Sequence, residues 1–322
     1  MSFFSLLAVF ILEQAWPLSY RRWVRTPFHT LARFVSNRFD AGTYVNGVAA
    51  TLSILVPALL LALVLYFVLL SINPFLAWGM NVLVLYFTMG FRQFSHHFTQ
   101  ILTALRDHNL PLARRCLADW RHENGLPIDE NGSLKESSEI ARESMVMALL
   151  AVHRHVFAVL LWFVLLPGPV GALLYRLCAL LSEAWAPSDT DPEPFSAFPN
   201  RLFSYLDWLP TRATVAIFAI VGNFEDAVYS AGQGRLYDRD PNKGIILGGA
   251  AGALGVRLSD RPEPDLADPA LVDLTPESDE IVLTNTVEAG PDTMQSAVGL
   301  VWRATVLWVI LLCLLGVSSL LG

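Results

Sequence analysis

The segment with the most potential for binding chemistry is a glycine- and alanine-rich run at residues 241–258 (PNKGIILGGAAGALGVRL). Because glycine lets a backbone pass close to a ligand, successive N–H groups in such a run can cradle a phosphate. We therefore predict phosphate or substrate binding by Asn242, Gly244, Gly252 and Gly255. The GxxxxGK[ST] pattern of a P-loop is absent, so a tightly packed small-residue helix is the alternative interpretation.

A charged pair, Asp207 and Arg212, brackets Trp208 and Pro210 just before an apolar stretch at residues 213–222. Ionisable groups close to the hydrocarbon core of a membrane are costly and are often functional. We predict that both residues bind substrate, with Arg212 pairing with a substrate anion. The alternative is an interfacial anchor, in which tryptophan and arginine mark a helix end and the aspartate is their partner.

Two adjacent carboxylates, Glu225 and Asp226, follow Asn223. Carboxylate oxygens can hold Mg²⁺ together with a nucleotide phosphate, so we predict a catalytic role for this pair. The alternative is a solvated first turn of a helix, where the helix dipole favours negative charge.

The histidines and cysteines do not predict a metal site. His96 and His97 are adjacent, and His153 and His155 are two positions apart, so neither pair shares a helix face. The HExxH pattern and any CxxC pair are absent from the sequence, as is the GxSxG pattern of a nucleophile elbow.

Membrane helices must position these candidate residues. The chain has 322 residues, of which 54% are hydrophobic and 16% charged, whereas soluble domains carry about 25% charged residues. Its longest uncharged stretch exceeds the ~20 residues that cross a bilayer. We predict an all-α, polytopic membrane bundle of about five or six spans, forming a single membrane domain over residues 1–322. The predicted spans lie near residues 47–70, 72–90, 156–175, 205–222 and 304–322, with a short apolar segment at residues 2–14.

The connecting segments differ in composition. Residues 91–142 predict soluble helices, the last of which starts at an N-cap on Ser137 or Ser138. Residues 184–200 are rich in proline and acid and predict a loop. Residues 257–295 are acidic and predict a flexible loop.

The distribution of arginine predicts the topology. Arginines are concentrated before the first long span and after the second, and a tight hairpin near residues 71–74 would place both groups on one side. The positive-inside rule makes that side cytoplasmic.

The sequence Pro167-Gly168-Pro169 should break or kink the third span. No basic patch is interleaved with aromatic residues, so we expect no nucleic-acid partner.

Four segments resemble one family in the same order. Residues 107–114 (DHNLPLAR), 167–176 (PGPVGALLYR), 206–212 (LDWLPTR) and 241–258 are similar to segments of the CobD/CbiB family of cobalamin-biosynthesis proteins. The resemblance implies a multi-span enzyme of the bacterial inner membrane with its main loops in the cytoplasm. It also implies adenosylcobinamide-phosphate synthase activity, in which adenosylcobyric acid and aminopropanol phosphate are joined by an amide bond.

The same resemblance implies the ligands and partners. Amide formation from a carboxylate requires activation, which implies ATP and Mg²⁺ as cofactors and a corrinoid as substrate. Lipid surrounds such a protein, and a membrane-protein partner or a homo-oligomer is a further expectation.

At some positions this chain differs from the CobD/CbiB family and resembles a second protein of the same superfamily. Where the family carries a glutamate, then Glu-Asn, then an aspartate, this chain has Val146, Leu150, Ala151 and Arg154. Apolar side chains cannot replace the charge of a carboxylate. AmpE, a membrane protein of the same superfamily linked to β-lactamase regulation, lacks the same acidic set. It resembles this chain at residues 206–212, 219–225 and 294–298. The alternative function is therefore a non-enzymatic inner-membrane sensor or signalling protein.

Overall fold

The chain is helical almost throughout its described part. The computed structural model describes residues 2–15, 21–39, 43–126, 136–186, 194–259 and 287–321. The helices in chain order are α1 (Ser2–Ala15), α2 (Thr26–Phe39), α3 (Tyr44–Ile72), α4 (Pro74–Thr88), α5 (Phe91–Arg106), α6 (Leu110–Glu123), α7 (Ser137–Val152), α8 (Ala158–Leu165), α9 (Val170–Ala184), α10 (Pro194–Val221), α11 (Phe224–Gly232), α12 (Pro241–Leu254) and α13 (Pro291–Leu321). π-helical turns at Arg21–Arg25 and His153–Phe157 lead into α2 and α8, and a 3₁₀ turn at Gly234–Leu236 follows α11.

Three helical stretches in this part of the chain are long and apolar enough to cross a bilayer. They are Tyr44–Ile72, Ser137–Leu165 and Pro291–Leu311. On the first of them, apolar side chains such as Leu61 and Val64 are 69% and 59% exposed, which suits contact with lipid and not with water. Within the described ranges no β-strand occurs. The prediction of an all-α membrane protein is confirmed.

At the other predicted spans described in the structure, the helices are shorter than a span or are interrupted. Helix α4 has 15 residues, and at about 22 Å it is shorter than the ~30 Å hydrocarbon core. The span predicted at residues 156–175 is interrupted between Leu165 and Val170, where Gly168 adopts a φ of 63°. That interruption is the break expected of the Pro-Gly-Pro sequence. Residues 205–222 belong to α10, and the number of spans beyond the three long stretches stays a prediction.

The described chain divides into two compact units, where the sequence predicted a single domain over residues 1–322. Unit 1 comprises Met1–Gln93, Arg154–Pro210 and Trp308–Gly322, and unit 2 comprises Phe94–His153 and Thr211–Leu307. The chain changes unit inside continuous helical stretches and not in proline- or glycine-rich linkers. Two of the boundaries, after Gln93 and after His153, lie within three residues of the changes in composition at residues 91 and 156.

Unit 1 is built on the hairpin of α3 and α4. Asn73 ends α3 and caps α4, and its side chain accepts a hydrogen bond of 2.8 Å from the N–H of Phe75. Helix α1 packs on α4, and α9 packs on α3, α4 and α8. Aromatic side chains fill the core, because Phe157, Tyr175 and Phe195 are almost fully buried.

Unit 2 packs amphipathic helices around α12. Helix α5 buries Phe98, Ile101, Leu102 and Leu105, whose spacing forms one helical face. Helix α6 packs on α7, and both α7 and α11 pack on α12. The acidic loop predicted at residues 257–295 mostly lies outside the described residues. Its two ends are joined, since the N–H of Arg257 donates to the carbonyl oxygen of Val287 at 3.0 Å.

Two predicted boundaries were wrong. Helix α7 is capped by Glu136, not by Ser137 or Ser138, and the Glu136 N–H donates to the Glu139 carboxylate at 3.3 Å. This reciprocal arrangement is a capping box with glutamate at the cap. The loop predicted at residues 184–200 ends early because α10 begins at Pro194, and proline is favoured in the first turn of a helix.

Candidate functional site

The glycine-rich run forms helix α12, which packs against α11 in unit 2. We call α11, the 3₁₀ turn and α12 the glycine hairpin. Gly244, Gly248 and Gly252 recur every four residues, so they share one face of α12. A Cβ atom on any of them would overlap a backbone carbonyl oxygen, that of Gly234, Ser230 or Asp226 respectively. These glycines therefore allow two backbones to touch, as the small-residue-helix interpretation proposed.

The N-terminus of α12 is capped from within the chain. Asp240 is the N-cap, and its carboxylate accepts a hydrogen bond of 3.0 Å from the N–H of Asn242. The N–H of Gly244 donates to the carbonyl oxygen of Asp240 at 2.9 Å. Asn242 itself is only 6% exposed. Of the N–H groups predicted to hold phosphate, that of Asn242 is thus engaged by the helix cap and that of Gly244 by the first backbone hydrogen bond of the helix.

The C-terminus of α12 ends on Gly255 in the left-handed conformation, with a φ of 64°. Its N–H donates to the carbonyl oxygen of Gly252 at 3.2 Å, and its own carbonyl oxygen accepts from Val287 at 2.9 Å. The same end of the helix receives the start of α11, since the N–H of Asn223 donates to the carbonyl oxygen of Ala253 at 3.2 Å.

The predicted catalytic carboxylates stand at this C-terminal end. Glu225 is exposed and Asp226 half-buried in the first turn of α11. Asn223 caps the helix, and its amide donates to the Asp226 carboxylate. This is the geometry of a capped helix start, which the sequence offered as the alternative.

The structure does not bring all the predicted residues of unit 2 together. Gly252, Gly255, Glu225 and Asp226 lie at one end of the glycine hairpin. Asn242 lies at the other end, ten residues away along the helix, or about 15 Å. Arg212 is exposed in the last part of α10. The hairpin therefore has two ends, and the substrate-binding and catalytic assignments remain predictions.

A nucleotide-bound Mg²⁺ ion needs only one or two protein carboxylates, so Mg²⁺ binding by Glu225 and Asp226 stays a prediction. In the described ranges no three or more histidine, cysteine, aspartate or glutamate side chains are grouped to hold a metal. His97 contacts Glu123 at 2.9 Å and stacks on Trp120, and buried His153 contacts the Thr214 hydroxyl at 2.9 Å. We therefore derive no chemical step through a metal.

Asp207 lies in unit 1, where it is 4% exposed. It accepts a hydrogen bond of 2.7 Å from the hydroxyl of Tyr175, which is fully buried on α9. The ring of Phe203 lies 5.7 Å from the Tyr175 ring, and the Arg154 guanidinium lies 5.7 Å from the centre of the Phe203 ring. Asp207 is thus a buried hydrogen-bond acceptor, and both its substrate-binding role and the interfacial-anchor alternative stay predictions.

Buried Arg176 is a polar residue of unit 1 to which the sequence interpretation gave no role. It is 5% exposed on α9. It is also the only charged residue in the long apolar stretch at residues 156–182. A lone charge inside an apolar helix is a signal that could have identified it, because such residues are costly unless they are used.

The comparisons with known proteins assign the family. The family described as CobD/Cbib protein matches residues 9–263. The chain belongs to the CobD/CbiB family. Cobalamin biosynthesis protein CobD of Stutzerimonas stutzeri (strain A1501) is 30% identical over 261 residues, which cover 80% of this chain and 82% of that protein. Its namesake from Chromobacterium violaceum is 29% identical over 185 residues, covering 58% of this chain and 57% of the relative. No solved structure matches the chain.

Some of the positions at which this chain departs from the CobD/CbiB family lie on α7. Val146 and Leu150 stand at positions that the resemblance aligns with family carboxylates, and both are half-buried, each following a core residue, Met145 and Leu149 respectively. Helix α7 packs on α12, so these apolar side chains occur on a helix that contacts the glycine hairpin. Arg154 follows in the π-helical turn, with a charge opposite to that of the family's aspartate.

Proposed function

We propose that this chain acts in cobalamin biosynthesis, as a membrane protein of adenosylcobinamide-phosphate synthase type. The observation that carries the proposal is the family match over residues 9–263. The relative from Stutzerimonas stutzeri, named cobalamin biosynthesis protein CobD, supports it because the alignment covers most of both chains.

The proposed reaction joins the carboxyl group of adenosylcobyric acid to the amine of aminopropanol phosphate. One C–N bond forms, one C–O bond of the carboxyl group breaks, and the amine gives up a proton; the carboxyl oxygen would leave on the phosphorus-containing group that ATP transfers to it. ATP with Mg²⁺ would supply this activation of the carboxyl group in the reaction that the family resemblance implies. We place the protein in the bacterial inner membrane with its main loops in the cytoplasm, in line with the arginine-rich segments.

The candidate residues have separate tasks in this proposal. Arg212 is exposed and would pair with the phosphate or carboxylate of a substrate. Glu225 and Asp226 would act at one end of the glycine hairpin, where carboxylates can accept protons from an attacking amine. Asn242 would contact substrate at the other end of the hairpin.

Complementation tests the proposal. A bacterium that lacks its cobinamide-phosphate synthase would receive this gene, with cobyric acid supplied and growth made dependent on vitamin B12. We expect growth from the native chain, and loss of growth with Arg212→Gln. Arg201→Gln is the matched control, because Arg201 is also exposed on α10 but was not assigned to substrate. Absence of growth from native protein that is present in the membrane would contradict the proposal.

A second candidate function, a non-catalytic membrane sensor of AmpE type, is favoured by the apolar residues of α7. Val146 and Leu150 provide no charge where the family resemblance expects carboxylates. The matching experiment restores the family pattern with Val146→Glu, Leu150→Glu, Ala151→Asn and Arg154→Asp together. Growth from the restored chain alone would mean that the native chain has lost the reaction and favours the sensor. Growth from the native chain would exclude the non-catalytic candidate.

A further inference from the structure

The segment that precedes the first long span is basic and amphipathic. Residues 21–39 contain five arginines and no aspartate or glutamate. Most of the segment is α2, and the segment precedes α3 by only a few residues. Clusters of arginine beside a membrane span attract the anionic lipids of the adjacent leaflet.

One face of this segment is apolar and exposed. Trp23, Leu31 and Phe34 are 65%, 47% and 63% exposed. The opposite face is fixed to unit 1, because Ala32 is fully buried and its carbonyl oxygen accepts a 3.2 Å hydrogen bond from the Trp185 indole. An exposed aromatic face on an arginine-bearing helix is typical of helices that lie in the membrane interface.

A groove runs beside this face in unit 1. Its volume is about 390 Å³, which is within the size range of small-molecule sites. Residues that line it come from the basic segment and from α4 and α9, and they include Trp23, Phe28, Leu31, Phe87, Arg176 and Leu177. Among the described residues that line the groove, Arg176 carries the only charge.

The apolar walls of the groove and the charge of Arg176 together determine which kind of ligand the groove can bind. The walls are aliphatic and aromatic, so they would leave a wholly polar ligand such as free phosphate without favourable contact. Arginine binds phosphate through its planar array of N–H donors. A molecule with an apolar chain and one phosphate group matches both features.

We propose that this groove binds an anionic phospholipid of the surrounding bilayer. The lipid phosphate lies towards Arg176, and an acyl chain runs along Trp23, Leu31 and Phe87. The basic charge of residues 21–39 adds to the attraction for an anionic lipid over a zwitterionic one. The proposal does not depend on the reaction that the protein performs.

Lipid selectivity measured on the full chain tests the proposal. The purified protein is reconstituted in phosphatidylcholine vesicles that contain trace spin-labelled phosphatidylglycerol or spin-labelled phosphatidylcholine. Electron paramagnetic resonance then gives the fraction of each label that is immobilised. We expect phosphatidylglycerol to be preferred at least about fivefold, since a single arginine contributes about that factor and the basic segment adds to it.

Two substitutions separate the groove from general surface charge. Arg176→Gln should lower the preference about fivefold, to what the basic charge of residues 21–39 contributes alone, whereas Arg201→Gln, which removes an exposed arginine from the same unit, should leave it unchanged. An unchanged preference in Arg176→Gln would overturn the proposal, as would a preference that is lost on adding inorganic phosphate to the native protein but kept in sodium chloride of equal ionic strength. The latter result would mean that an ion, and not a lipid, occupies the site.

Because Arg176 is buried, its substitution could impair folding, so a second measurement uses native protein. Dibrominated lipids quench nearby tryptophans, and the contribution of Trp23 is the difference between native protein and Trp23→Phe. Dibrominated phosphatidylglycerol should quench Trp23 more strongly than dibrominated phosphatidylcholine at equal content. Equal quenching by the two lipids would contradict the proposal even if Arg176→Gln could not be purified.

Discussion

The hydroxyl of Tyr175 donates a 2.7 Å hydrogen bond to the carboxylate of Asp207, and both side chains are buried among the helices of unit 1. The bond connects α9 with α10. A carboxylate inside an apolar unit needs donors, because an unsatisfied buried charge costs several kcal/mol. Tyr175 therefore contributes to the stability of unit 1 through its oxygen as well as its ring.

Tyr175→Phe should lower the free energy of unfolding by about 1.5–3 kcal/mol, the range for a hydrogen bond to a charged group. The ring remains, so the loss isolates the hydroxyl. Thermal unfolding in detergent measures it. Tyr205→Phe is the matched control, because Tyr205 is 78% exposed on α10. Equal unfolding temperatures for the two variants would show that the bond to Asp207 adds nothing.

Gly248→Ala should weaken the glycine hairpin. The new methyl group would overlap the carbonyl oxygen of Ser230, so α11 and α12 would have to separate, at a cost of about 1–3 kcal/mol. Gly299→Ala provides the comparison, because nothing lies within 4 Å of a Cβ at that helical position. There, alanine should stabilise the helix by up to about 1 kcal/mol. A Gly248→Ala protein as stable as the Gly299→Ala protein would refute close backbone contact.

Asp240→Ala should remove the cap of α12. Its carboxylate accepts the hydrogen bond from Asn242 N–H, and loss of such a cap costs about 1 kcal/mol. Asp240→Ser should recover most of the stability, because serine also accepts from the first helical turn. Chemical denaturation in mild detergent can compare the three proteins. If serine is no better than alanine, the carboxylate does not act as a helix cap.

The reactivity of Cys116 should depend on Asp119. Burial raises the pKa of the Cys116 thiol above its ordinary value, and the Asp119 carboxylate raises it further. Since the thiolate is the reactive form, a raised pKa slows alkylation at mildly alkaline pH. Asp119→Asn should lower the pKa and accelerate alkylation, moving the rate profile towards lower pH.

Mass spectrometry of the peptide that contains Cys116 follows the modification without interference from the other two cysteines. Asp119→Glu keeps the negative charge and should retain the slow profile. Identical rate profiles for Asp119→Asn and the native protein would rule out the electrostatic effect.

Hydropathy predicted the membrane class and the turn at Asn73, because both depend on local sequence. Pro167-Gly168-Pro169 likewise predicted the interruption between α8 and α9. The pairing of Tyr175 with Asp207 could not be predicted, since the two residues are 32 positions apart and the contact depends on how α9 and α10 pack. The division into two compact units was not anticipated, although changes of composition near residues 91 and 156 lie close to two of its boundaries.

The candidate site was predicted only in part. The spacing of Gly244, Gly248 and Gly252 allowed both a phosphate cradle and a packed helix, and the structure gives direct support to packing. Local sequence could not choose between them, because the choice depends on which backbone lies opposite. The separation of Asn242 from Glu225 follows from helix length once α12 is known to be continuous.

The glycine hairpin also constrains how this chain can evolve. The atoms opposite Gly244, Gly248 and Gly252 are backbone carbonyl oxygens, and every amino acid carries that oxygen. No second-site suppressor that shrinks a neighbouring side chain could make room for a larger residue at these positions. Purifying selection would hence preserve the three glycines in a catalytic member of the family and in one that has lost catalysis alike. Retention of these glycines therefore indicates only that the fold is kept. A gain or loss of catalytic activity would instead change the residues at the carboxylate positions of α7.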